Sequence, residues 1–169
     1  MAKWGRADYK QLKALADKLK QMETDPRIPQ FCEECSKELA ARLLALVIPR
    51  TPVGVYPEET GKKGGTLRRG WTAGRKTAPS VYANSLPVTK NGSTYTIEVI
   101  NPVEYASYVE FGHRQEPGRY VPAIGKQLKA SWVNGKYMLT ISEGELEQIA
   151  PRILSQKLER FLEEIFDGT

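Results

Sequence analysis

The chain of 169 residues contains one histidine, His113, and two cysteines, Cys32 and Cys35. A single histidine excludes mechanisms built on a histidine cluster. Two thiols this close together cannot form the disulfide framework of a small secreted domain. No apolar run approaches the ~18 residues that a bilayer-spanning helix needs, so no membrane partner is expected. The opening residues, Met1 to Arg6, are polar and lack the apolar stretch of a secretory leader, which points to a reducing, cytoplasm-like compartment. Internal repeats and low-complexity tracts are also missing.

What is present is the composition of an ordinary folded domain, with 40% hydrophobic and 27% charged residues. A chain of this length buries roughly two-thirds of its unfolded surface, enough for a core without metal or disulfide staples. The net charge of +5 is unevenly spread. Between Thr60 and Lys76 there are six bases (Lys62, Lys63, Arg68, Arg69, Arg75 and Lys76) and no acid. Between Glu143 and Asp167 seven acids face only Arg152, Lys157 and Arg160. Such asymmetry suits polar contact with a partner, either a second copy or nucleic acid.

Apolar spacing predicts the elements. Leu12, Leu15, Leu19 and Met22 mark a helix over 8–23, closed by Asp25-Pro26. Ile28, Phe31, Cys35, Leu39, Leu43, Leu46 and Val47 mark a second over about 29–47, stopped by Pro49 and Pro52. A long irregular loop follows, basic over about 53–66. A strand is expected over about 67–74, and Asn91-Gly92 predicts a hairpin between strands 81–90 and 93–100. In the second of these, Tyr95, Ile97 and Val99 form the buried face. A short helix spans about 103–111, with Tyr105, Tyr108 and Phe111 expected to pack between sheet and terminal helix, and Gly112 as its cap. Residues 113–131 read as irregular, and Asn134-Gly135 predicts a second hairpin from Trp132 to Leu139. Ser142 to Glu145 resembles a capping box before a long helix to about Phe166, which Pro151 predicts either to start later than Glu145 or to kink there. The whole reads as a single α+β domain over 1–169: a small antiparallel sheet against two N-terminal helices and a long C-terminal helix.

Chemistry finds little support. The Cys32-Glu33-Glu34-Cys35 pair lies inside a predicted helix beside two carboxylates, unlike a redox dithiol, and lacks the second ligand pair of a zinc site. His113 has Glu110 and Glu116 nearby but no nucleophile motif. The glycines at 61, 64 and 65 beside Lys62 and Lys63 lack the spacing of a phosphate loop. No catalytic, metal or cofactor-binding residue is assigned.

Three segments carry a resemblance: Ile48-Pro49-Arg50-Thr51-Pro52-Val53, then Gly65-Thr66-Leu67-Arg68-Arg69-Gly70-Trp71, then Asn101 to Arg114 with its Tyr-Ala-Ser-Tyr-Val-Glu-Phe-Gly core. The chain resembles the minor tail, or tail-completion, proteins in the neck of tailed bacteriophages and prophages. It departs from them in a longer connection over 53–65 and in an insertion over about 123–142. The resemblance implies a structural virion component without catalysis, assembled in the host cytoplasm. It implies a homo-oligomeric ring, a hexamer among the candidates, around the DNA passage, touching a tail terminator or head-closure protein and packaged DNA. The residues expected to serve assembly are Lys62, Lys63, Arg68, Arg69, Arg114 and Arg119. The competing classes are a basic accessory protein that binds DNA non-specifically, which salt-dependent duplex binding would reveal, and a small enzyme, for which no pocket of convergent groups can be named.

Overall fold

The computed structural model describes residues 25–122 and 125–167, together with the helical positions Lys13, Asp17 and Lys20. The helix expected over 8–23 otherwise lies outside the described residues. The first complete helix, α1, runs Arg27–Arg50. Asp25 starts it by accepting the Arg27 backbone N–H at 2.8 Å, and the Arg27 guanidinium holds the Asp25 carboxyl below the usual carboxylate range. The helix runs past Pro49, because the Thr51 N–H closes the last turn on the Val47 carbonyl at 2.9 Å.

The buried line of α1 is Cys35, Ala40, Leu44 and Val47, offset from the predicted stripe. Leu39, Leu43 and Leu46 are only half-buried, because α1 is gripped on two sides. One side receives a short helix, α3 (Pro79–Ser85), through the fully buried Ala83. The other receives the long helix α5 (Met138–Asp167). Phe31 stacks on Phe161 with centroids 4.4 Å apart, and Arg50 donates to Glu145 at 2.7 Å, so α1 and α5 run antiparallel. Leu67, Trp71 and Met138 complete the buried cluster, with Ile97, Val99, Val103 and Val109 at its edge.

The α+β class holds, but several elements differ from the expectation. Residues Thr66–Gly70 form a helix, α2, where a strand over 67–74 was expected. Helical spacing puts Leu67, Gly70 and Trp71 on one buried side, whereas a strand would have buried Arg69 between Leu67 and Trp71. The first half of the stretch 81–90 belongs to α3, since Pro79 suits a first turn and Pro87 separates it from the strand. What remains is β1 (Val88–Asn91), paired antiparallel with β2 (Thr94–Ile97) about Gly92, as the Asn-Gly signal predicts. Tyr95, Ile97 and Val99 are the half-buried face.

Helix α4 (Ala106–Phe111) leads directly into β3 (Gly112–Arg114). The second hairpin is not the predicted one. Strand β6 (Trp132–Asn134) pairs back onto β3, with His113 opposite Val133, and residues 138–139 already belong to α5. Between them β4 (Tyr120–Val121) pairs with β5 (Lys126–Gln127). Residues 112–122 and 125–134 thus form one two-stranded arm, and among the described residues the strands form three separate ladders of two. The capping-box reading of Ser142 also fails. Ser142 lies in the second turn of α5, fully buried, donating to the Met138 carbonyl at 2.6 Å and accepting from Arg50 at 2.8 Å.

Candidate functional site

The six basic residues singled out above fall in three places. Lys62 and Lys63 are exposed at the far side of the 53–65 loop, and no ion pair reaches them among the described residues. The base of that loop is pinched: a Cβ on Gly64 would collide with the Gly54 carbonyl. Gly65 takes the left-handed conformation at φ 94°, which suits glycine. Arg69 donates to the Gly64 carbonyl at 3.1 Å and helps to hold the base. Arg68 turns inward, donating to the Thr51 carbonyl at 2.9 and 2.6 Å and to the Pro49 carbonyl at 3.2 Å. Arg114 and Arg119 stand on the arm, exposed, around a shallow depression shared with Glu116, Ser131 and Trp132.

Arg68 ties the first two sequence segments to each other. The end of α1 leaves carbonyls without helical partners. The Arg68 fork caps them, while Trp71 Nε1 donates to the buried Thr51 hydroxyl at 2.7 Å. The third segment has an equally local logic. Glu110, 5% exposed, accepts the backbone N–H of Leu139 at 3.0 Å and of Thr140 at 2.9 Å, and the Thr140 hydroxyl at 2.8 Å. A carboxylate from α4 therefore caps the N-terminus of α5, where the helix dipole favours negative charge. In return the N–H groups of Lys136 and Tyr137 cap the Val109 and Glu110 carbonyls at 2.8 and 3.0 Å.

That geometry reverses the expectation for the aromatics of α4. Its inward face is Ala106, Val109 and Glu110 at helical spacing, so Tyr105, Tyr108 and Phe111 point outward, 43%, 59% and 60% exposed. Sequence reading also missed Lys126, Lys129, Tyr120 and Trp132 as partners of Arg114 and Arg119. Arg114, Arg119 and Trp132 line one depression and Tyr120, Lys126 and Lys129 another, brought near each other because the arm folds back on itself, and the turn residues Pro117-Gly118 and Gly125 were the signal.

The reactive side chains are dispersed. Cys32 is half-buried and Cys35 buried on α1, both as free thiols; burial pushes the Cys35 thiol up despite the nearby Lys157. Among the described residues His113 Nδ1 is buried without a hydrogen-bond partner, its ring edge-on to Tyr108 at 5.7 Å. Among the described residues no three histidine, cysteine, aspartate or glutamate side chains gather as a metal would require, and no helix is long and apolar enough to cross a membrane.

No curated protein and no solved structure matches the chain. A family model does match, over residues 13–112, more than half of the 169. Its description reads "Bacteriophage HK97-gp10, putative tail-component". The matched span holds the Thr51–Arg68–Trp71 cluster and ends at Gly112, just after Glu110. The chain therefore belongs to the HK97-gp10-like family of bacteriophage tail components.

Proposed function

We propose that the protein completes the phage tail at its neck and joins it to the head, as one subunit of a homo-oligomeric ring around the DNA passage. The observation that carries this reading, beside family membership, is the separation of unlike charged surfaces on one chain. The arm is basic and exposed, and Lys62 and Lys63 stand exposed in a loop whose other charges are Glu58 and Glu59, whereas the C-terminal half of α5 is acidic. Unlike surfaces on one chain pair head to tail, and head-to-tail contacts close into rings when the rotation allows. The role is structural, with a tail terminator or head-closure protein as the neighbouring ring.

Arg68 and Arg69 hold the backbone, so the assembly role rests on Lys62, Lys63, Arg114 and Arg119. In the variant Lys62→Glu/Lys63→Glu the isolated protein should melt as the parent does, as exposed substitutions usually allow. In infected cells it should leave heads and tails as separate particles by electron microscopy. Normal virions from that variant would remove the loop from the reading. Loss of a salt-sensitive affinity for random duplex, with joining intact, would instead favour a DNA-binding accessory role.

A further inference from the structure

The arm begins at Gly112, where the family match stops, so family membership does not account for it. None of its described residues is buried. Its outer ladder, β4 with β5, packs chiefly on itself, and a lone two-stranded ribbon is at best marginally stable in water. It carries four cations, Arg114, Arg119, Lys126 and Lys129, against the single acid Glu116, all exposed. None of the four takes part in an ion pair among the described residues. The rings of Tyr120 and Trp132 stand beside them, 57% and 48% exposed.

We propose that this arm docks on the acidic C-terminal half of α5 in a second copy of the chain. The inference rests on the ring reading above and names the surfaces that would make it. From Glu159 to Asp167 there are four acids against one base, Arg160. Glu159 and Glu163 are exposed and free of ion pairs among the described residues. A groove of about 430 Å³ opens between α1 and α5, lined by Phe31, Ile153 and Phe161 with a rim of mixed charge that includes Glu164. This groove offers apolar area for Tyr120 or Trp132, and the glutamates offer countercharge for the arm.

Position makes the contact intermolecular. The root of the arm is held at the start of α5, because Lys136 and Tyr137, just before Met138, donate their N–H groups to the Val109 and Glu110 carbonyls of α4. The acidic segment occupies the last turns of this 30-residue helix, which is about 45 Å long at 1.5 Å per residue. The root of the arm and the acidic segment therefore lie at opposite ends of one rod. A neighbour can present the complementary end, and the contact then repeats from copy to copy.

The test uses the purified full chain with a benzophenone amino acid in place of Tyr120, irradiated and mapped by mass spectrometry, while native mass spectrometry reads the oligomer. The expected result is a covalent dimer whose linked peptides fall in 27–42 or 150–167. Arg119→Glu/Lys126→Glu should weaken association at least tenfold with an unchanged melting curve. Mixing it with Glu159→Lys/Glu163→Lys should restore mixed oligomers. Rings that form while Tyr120 links elsewhere, or within its own chain, would overturn this contact and leave the ring reading standing. A chain that stays monomeric at its highest soluble concentration, with no linked dimer, would sink both. Duplex binding abolished by Arg119→Glu/Lys126→Glu with the oligomer intact would assign the arm to nucleic acid instead.

Discussion

Thr51 is fully buried and has every polar atom engaged: its N–H and hydroxyl donate to the Val47 carbonyl, its hydroxyl accepts from Trp71, and its carbonyl accepts from Arg68. Thr51→Val keeps the shape and strands a buried indole N–H, so stability by urea denaturation should fall by about 1–3 kcal/mol. Adding Trp71→Phe removes the stranded donor, and the two losses should then be less than additive in a double-mutant cycle. Cys35 offers a different measurement. Its thiol is pushed up by burial, so the folded state holds that proton more tightly than the unfolded chain does. The contribution is complete below the ordinary thiol pKa of ~8.5 and fades as pH rises above it. At neutral pH iodoacetamide should label half-buried Cys32 well before buried Cys35 in mass-spectrometric time courses.

Among the elements, α4 shows how a six-residue helix earns a fixed place through one side chain. Glu110→Ala removes the cap on α5, and about 2 kcal/mol of stability should go with it, with faster amide exchange at Leu139 and Thr140. Tyr108→Ala and Phe111→Ala should each change stability by no more than ~0.5 kcal/mol, since both rings face solvent. Wild-type-like melting with failed assembly would mark these rings as contact surface. The same helix shows how much was legible in the sequence. The spacing in 103–111 reveals a helix, and Gly112 its end, yet not which face is inward. Only α5, folded back from residues 138–140, makes a carboxylate the buried group. Likewise Asn91-Gly92 is a local signal and its hairpin forms as read. Asn134-Gly135 has the same dipeptide, but long-range pairing with β3 outweighs it: a Cβ on Gly135 would collide with the Glu110 carbonyl, so this glycine serves close approach and not a hairpin turn. The six basic residues were legible as charge, while their division into inward Arg68 and outward Lys62 depends on where the end of α1 lies.

Across the whole molecule the α1–α5 pair is the frame on which the rest hangs. Met138 is 1% exposed, and Ser142 and Glu145 tie the start of α5 to Arg50 at the end of α1. Met138→Ala should therefore cost about 2–5 kcal/mol in denaturant unfolding. A chain ending before Met138 should lose its cooperative transition by circular dichroism, because the cluster around Leu44, Val47 and Trp71 then opens to water.

The root of the arm has a mechanical meaning. Its two glycines look like hinges, but both are wedged: a Cβ on Gly112 would strike the Val133 carbonyl, and one on Gly135 the end of α4. With the Glu110 cap and the Lys136 and Tyr137 bonds, the root is a bracket welded to the long helix. Gly118, farther out and at φ 86°, has nothing within 4 Å of its would-be Cβ. Its N–H donates across the arm to the Leu128 carbonyl at 2.8 Å, and the Leu128 N–H returns to the Arg119 carbonyl at 2.9 Å, so the bracket carries the outer ladder as well as the root.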